Sequence, residues 1–322
     1  MKTLNRRAAL LALALGLSAT AGQAQDKPLR VIVPASAGSG LDAQVRAAGP
    51  ALARALGGRA VVIENIAGAG GITGTVALVK APADGNTIAV VSNNHVVNPS
   101  VYRKMPFDSQ ADITPITVIG ETPFLLVVNP AKVPARTVKE LQALLKSKPG
   151  VFNYASSGNG TIIHLAGGMV VDGLDVDVKH IPYKGMAPMV SDIIGGQVEL
   201  GVVAVNVALP HLKSGALRAV AALGRQRVAA LPDLPTMAEQ GFPEVEVGGW
   251  FAVIGPARLP APEVKRMHGA VLAAFNDPET RDAMARQQNA IHPTSPEAAI
   301  AFFRSEQERF ARLARKADIK LE

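Results

Sequence analysis

Three glycine-rich turns hold the residues whose types and spacing could do chemistry. Ala37-Gly38-Ser39-Gly40-Leu41-Asp42 follows the apolar run 29–34, Gly68-Ala69-Gly70-Gly71 follows 61–65, and Ser156-Ser157-Gly158-Asn159-Gly160-Thr161 follows 151–155. Each lies where a β-branched run gives way to a helical pattern. Each therefore aims backbone N–H groups and the positive end of a helix dipole at one spot. That is anion binding, achieved without a lysine or arginine. One such turn is ordinarily a tight reversal of the chain. Three, the last carrying Ser156, Ser157 and Thr161, read as a site. Ser92 and Asn93, with Asn94 next, follow another strand end, where ligands of open α/β sheets gather. His95 lines the pocket or caps the next turn. His164 is packed among core neighbours or touches ligand, and Tyr183, at a strand mouth, is placed to close over it. Leu41, Ile162 and Val203 suggest an apolar wall. Asp42 caps or orients the first helix, because it would repel an anion.

Rival chemistries share some of these residues. Gly38-Ser39-Gly40-Leu41-Asp42-Ala43 satisfies the G-x-G-x-x-A dinucleotide pattern, and Glu64 follows at the end of the next strand. A hydrolase would use Ser156 or Ser157 with His164, but no G-x-S-x-G elbow is present. Six histidines show no paired metal-ligand spacing, and zero cysteines exclude disulfides and thiolate sites. No metal or cofactor is expected. An exported α/β enzyme, hydrolytic or dinucleotide-dependent, is the alternative to a binding protein.

The elements that must position these turns alternate. Strands are expected at 29–34, 60–64 and 87–92, with helices at 42–56 and 72–80 between them, a parallel α/β pattern. A second set begins at 124–128 and runs through helix 137–146, strand 151–155, helix 161–172, strand 178–181, helix 186–194 and strand 198–203. Thr137 and Glu140 form a capping box. After strand 250–254, helices at 260–275, 278–287 and 296–315 have no strands of their own to cover and are expected to lie on the first lobe. Strands 124–128 and 250–254 then form a two-strand hinge. The expected division is 25–123 with 249–322 for lobe 1 and 124–248 for lobe 2.

Residues 1–24 read as a cleaved signal peptide: Lys2, Arg6 and Arg7, an apolar stretch of about ten residues, and Gly22-Gln23-Ala24. The pair Arg6-Arg7 also suits a twin-arginine signal. That stretch is short of the roughly 20 residues a span requires. Export to the periplasm is expected, and it argues against a nicotinamide cofactor. The formal charge of the chain is +7. Three of the basic residues leave with the leader, and the rest are scattered, which argues against nucleic acid as partner.

The whole chain after the leader resembles the Bug family of extracytoplasmic solute receptors, which serve tripartite tricarboxylate transporters. The residues that carry the resemblance include Ile32-Val33-Pro34 with Ala37, Gly38, Gly40 and Asp42; Val62 to Asn65 with Gly68 to Gly71 and Gly74; and Ala83-Asp84-Gly85. Further on are Asn98-Pro99-Ser100, Leu126 to Pro130, Asn153 to Gly160 with His164, Ile181 to Gly185, Gly195 to Val198, Leu231 to Thr236 and Trp250-Phe251. The resemblance implies a monomeric, two-lobed periplasmic binding protein of the Venus-flytrap, type II-like kind. Such a receptor holds a small carboxylate between its lobes and delivers it to a membrane permease. A receptor that signals to a sensor protein would carry the same sequence. Departures lie at Ser36, Ser39 and Leu41, at Gly167-Gly168-Met169, and at Gly201 to Ala204, where many relatives place an aspartate that could pair with an ammonium group. Its absence points to an aliphatic or aromatic carboxylate without one.

Overall fold

A computed structural model describes residues 27–316; the expected leader lies outside them. The chain starts with β1 (Leu29–Val33), α1 (Gly40–Ala55), β2 (Val61–Asn65), α2 (Ile72–Val79), β3 (Thr87–Ser92), α3 (Asn94–Val101) and β4 (Ile113–Thr122). Next come β5 (Phe124–Val128), α4 (Val138–Ser147), β6 (Asn153–Ser156), α5 (Ile162–Leu174), β7 (Lys179–Pro182), α6 (Met186–Ile194), β8 (Leu200–Ala204), α7 (Val205–Lys213) and β9 (Arg218–Ala222). The last elements are β10 (Gly249–Pro256), α8 (Ala261–Asn276), α9 (Pro278–Arg286), β11 (Ala290–Ile291) and α10 (Pro296–Lys316). No helix of the described residues is long and apolar enough to cross a membrane.

Two sheets result, in the orders β11-β4-β10-β3-β1-β2 and β7-β6-β8-β5-β9. Strands β1, β2 and β3 are parallel, as helical crossovers require. The returning strand β10 runs antiparallel between β3 and β4, and β5 runs antiparallel between β8 and β9, so both sheets are mixed where a parallel pattern is expected. The two-residue β11 is a further departure: one short strand does follow Ile254. Central strands are buried on both faces, so β5 and β8 read as continuous apolar runs.

The chain passes between sheets at Pro123 and again at Gly248, just outside the two strands expected to form the hinge. The crossings lie against each other. A Cβ added at Gly249 would sit 2.8 Å from the Phe124 ring, so only glycine permits this approach. Asn93, 1% exposed, clamps the return: its Nδ2 donates to Gly248 O at 3.1 Å, and its Oδ1 accepts from Trp250 N at 2.8 Å. The Trp250 indole N–H donates to Glu306 at 3.0 Å, and its ring packs on Phe302 and Phe303. This fixes α10 on the first lobe. Trp250 is thus hinge core, and its indole faces α10.

Candidate functional site

The first turn is held by its own helix. Ser39 is the N-cap of α1, its Oγ accepting from Asp42 N at 3.3 Å. Asp42, 3% exposed, accepts from Gly38 N at 2.8 Å, from Arg46 Nε at 2.9 Å and from Asn65 Nδ2 at 3.0 Å. Burial pushes its carboxyl up, but the hydrogen bonds from Arg46, Gly38 and Asn65 outweigh that and hold it below its ordinary value. Gly38 N–H is therefore spent inside the turn. Ser39 N–H is too, on Ser36 O at 3.1 Å. The donors this turn can offer outward are those of Gly40 and Leu41, which a helix start leaves without an intrahelical acceptor.

The second turn folds into a short 3-10 segment, Ala69–Gly71, ahead of α2. Ala69, Gly70 and Gly71 all have positive φ, and at Gly68, with φ 138°, a Cβ would lie 2.6 Å from Thr73 Oγ1. Gly71 N–H is taken by Gly68 O at 2.9 Å. Beside this turn is a recess lined by Pro34, Leu41, Gly70, Gly71, Ser92 and Asn94, among others. Three expected residues, Gly70, Gly71 and Ser92, therefore meet there. Leu41 supplies the apolar wall.

Two further residues of α3 also border the recess and are nearly fully buried. Asn98 donates from Nδ2 to Gly70 O at 3.1 Å, and its Oδ1 has no partner. His95 stacks on Phe107 and meets Phe303 edge-on, and its Nε2 lies 2.9 Å from Ser109 O. That carbonyl makes Nε2 the donor and leaves Nδ1 an unpartnered acceptor. Desolvation pushes the imidazole down to about 4, so it is neutral at pH 7.

The third turn repeats the first with different chemistry. Thr161 is the N-cap of α5, accepting from His164 N at 3.3 Å and donating to Gly158 O at 2.8 Å. His164 Nδ1 accepts from Gly160 N at 3.1 Å. Ser157 Oγ is 3.2 Å from Thr161 Oγ1. Ser156 is fully buried, 2.7 Å from His180 Nε2, and accepts from Gly158 N. His164 and His180 stack at 3.8 Å, nearly parallel, with Tyr154 beyond at 4.9 Å from His180. Desolvation pushes both imidazoles down to about 4, and in His180 the neighbouring His164 adds to it. His164 is thus a packed, neutral brace of the turn.

The remaining expected residues are placed elsewhere. Val203 is fully buried inside β8, paired with Leu125, and belongs to the packed interior of the second sheet instead of the cleft wall. Asn93 is consumed by the hinge. Tyr183 braces the third turn through its N–H, which donates to Ser156 O at 2.9 Å. Burial and a hydrogen bond to Asp192 push its phenol up to about 12. Glu64 pairs with Arg30 at 2.7 Å, which spends the acid a dinucleotide ribose would need. The serine hydroxyl placed on a histidine, that of Ser156, is buried, and its partner is His180, which sequence reasoning did not single out.

One contact joins the two lobes at the turns: Asn94 Oδ1, from the recess in the first lobe, accepts from Ile162 N, the first N–H of α5 in the second, at 2.9 Å. Across from it, Asn206 of α7 lies against the first turn, with its Nδ2 3.5 Å from where a Gly40 Cβ would be. The starts of α3 and α5 therefore meet at one crossing of the cleft and those of α1 and α7 at the other.

The model of the tripartite tricarboxylate transporter family receptor matches residues 45–319. The chain belongs to this family. BugT of Bordetella pertussis is 32% identical over 297 residues, which cover 92% of this receptor and 90% of BugT. Among solved structures, the periplasmic binding protein BugD is 30% identical with a TM-score of 0.84, covering 92% of this chain and 99% of its own. An R. palustris protein solved with adipate is 29% identical with a TM-score of 0.84, covering 91% and 98%. The family and these neighbours are solute-binding proteins, and the two-lobed fold of this receptor is theirs. It is a binding protein, not an enzyme.

Proposed function

We propose that this receptor works as a monomer in the periplasm, closing on a small carboxylate between residues 25–123 with 249–322 and residues 124–248, and delivering it to the membrane permease of a tripartite tricarboxylate transporter. The observation that carries this is the Asn94–Ile162 contact. It puts the recess of one lobe against the helix start of the other, so that one small anion can reach both. The N–H groups of Gly40, Leu41 and Ile162 would hold the carboxylate, with Gly70, Gly71 and Ser92 shaping the recess. Dipole terms of about 0.3 to 1 kcal/mol, up to ~2 when partly buried, add to charge-assisted hydrogen bonds of roughly 1.5 to 3. Together they are of the size that micromolar binding, about −8 kcal/mol, demands after association costs.

The lining supports a ligand without an ammonium group. Among the described residues bordering the recess there is no aspartate or glutamate, and Asp42 is committed to Arg46. A buried ammonium would have no counter-charge there. Aliphatic or aromatic carboxylates fit this lining. Neutral acceptors at His95 and Asn98 accommodate a hydroxyl on such a ligand.

Thermal unfolding of residues 25–322, refolded to strip carried-over ligand, tests the reading against mono-, di- and tricarboxylates, aromatic acids and amino acids. One uncharged-side-chain carboxylate class should stabilise the protein by roughly 2.7 kcal/mol at about 100-fold excess over Kd. Stabilisation by aspartate or glutamate alone would remove the ligand class, and silence across the panel would remove carboxylate capture.

A further inference from the structure

We infer that Asn94 is a built-in stand-in for the ligand's carboxylate, latching the receptor shut without cargo and competing with cargo for the start of α5. This rests on the reading that the cleft binds a carboxylate.

A side-chain amide oxygen is a neutral version of a carboxylate oxygen. Asn94 places one 2.9 Å from the N–H of Ile162, reaching across from the opposite lobe. That N–H is the first of a 13-residue helix, a position whose donor no turn of the helix can satisfy. Three neighbouring donors of the third turn are already used: Gly158 N by Ser156, Gly160 N by His164 and Thr161 N by Gly158 O. The start of α1, by contrast, already has the Asp42 carboxylate in its first turn, balanced by Arg46. The uncompensated positive helix end is therefore that of α5, and Asn94 occupies the first of its outward donors, Ile162 N–H, ahead of Ile163 N–H. Asn94 itself borders the recess, so its carboxamide lies where a ligand must bridge from Gly70 and Gly71 to Ile162. An anion that takes Ile162 N–H gains the charge-assisted bond that the neutral amide lacks, which is what lets it win the exchange.

The latch scales apparent affinity down to the fraction of receptor it leaves open. Removing it should raise affinity, whereas removing a ligand contact would lower it. Small-angle scattering of the unliganded protein and calorimetry with adipate and malate, on wild type, Asn94→Ala and Ile162→Pro, separate these. Asn94→Ala should show a larger unliganded radius of gyration and bind roughly threefold to tenfold tighter. Ile162→Pro deletes the donor at a helix position that tolerates proline, after a residue, Thr161, that is already extended at ψ 161°. It should open the unliganded protein equally and lose affinity. Weaker binding by Asn94→Ala, or no change in either size or affinity, overturns the latch. If wild type binds neither acid, the carboxylate reading has failed for these ligands. The radius of gyration of Asn94→Ala then still decides whether Asn94 holds the lobes together.

Discussion

The helix starts of α1 and α5 are built to one plan with opposite electrostatics. In each, a hydroxyl residue, Ser39 or Thr161, caps the helix, and the side chain three residues on turns back to accept the N–H of the glycine before the cap. The plan is a variant of the capping box in which the return bond reaches one residue further. In the first lobe the returning group is the carboxylate of Asp42, tied to Arg46 and Asn65. In the second it is the neutral imidazole of His164, stacked on His180. The same geometry therefore spends the dipole of α1 on an internal anion and leaves that of α5 for an external one. The two starts therefore offer a carboxylate different things: N–H donors beside an internal acid at α1, and a helix end with no internal acid at α5.

Removing Asp42 should break the comparison most severely. Asp42→Ala removes a buried carboxylate that accepts from three groups and leaves Gly38 N–H without its acceptor; Asn65 keeps only Ala35 O at 3.3 Å, and Arg46, half exposed, can turn to water. A loss of about 3 kcal/mol of unfolding free energy by urea titration is expected, together with disordering of the first turn. A loss below about 1 kcal/mol would mean that the carboxylate does not organise the turn.

The two returning groups should also titrate in different windows. The histidines have folded values near 4, below the ordinary 6.5, so the unfolded chain binds more protons between these values, and stability falls as pH drops from about 6.5 towards 4. Asp42 has a folded value below its ordinary 3.8. Its contribution is therefore intact above that pH and is lost only as pH falls further. Thermal melts across pH 7 to 4 should show the histidine window first. His180→Phe keeps the stack and removes one titrating ring, so it should flatten that slope. An unchanged slope would place the acid sensitivity elsewhere, with His95, which is also pushed down to about 4, the next group to replace.

What the two lobes share should cost the same in each. Ser39→Ala and Thr161→Ala each remove one capping oxygen, and each is expected to lower stability by ~1 kcal/mol in chemical denaturation. Their difference sharpens the comparison. Thr161 also donates to Gly158 O, and its loss loosens the turn beside Ile162, so only Thr161→Ala should weaken carboxylate binding appreciably. Equal effects on binding would put equal weight on both helix ends.

Much of this frame is legible in the chain because local pattern and tertiary outcome agree. Strand 87–92, strand 124–128 and helix 186–194 lie where their apolar spacing puts them. Strand β4 is not legible, because Pro115 interrupts it and argues against a ten-residue central strand. It is tolerated because Pro115 faces Ile254 next to a register shift, where the regular ladder is already broken. The turns of the site are legible for the same local reason, as are the roles of Asp42 and the packed His164. The identity of the outward donors is not. Whether Gly38 and Gly160 present their N–H groups depends on side chains that fold back from the next turn of the helix, while Ser39 and Thr161 give theirs to backbone carbonyls of their own turns. Asn94 is further out of reach, since its partner Ile162 is 68 residues away on another lobe.

The smallest expected effect tests whether charge in the first lobe acts through Asp42 specifically or merely through its density. Arg30 and Glu64 form a second ion pair on β1 and β2, with a 2.7 Å contact and both side chains more than a third exposed. The guanidinium holds the Glu64 carboxyl below its ordinary value, but solvent screening leaves a pair this exposed worth little. Glu64→Gln should therefore change stability by less than ~0.5 kcal/mol and leave carboxylate affinity untouched. It also bears on the dinucleotide pattern at 38–43, in which Glu64 would hold a ribose. A variant that lost a bound nucleotide, seen as absorbance released on denaturing wild type alone, would restore that pattern's meaning. Unchanged spectra and affinity would leave Asp42 as the one acid in the first lobe that shapes the cleft, bound to the helix it orders instead of to the ligand.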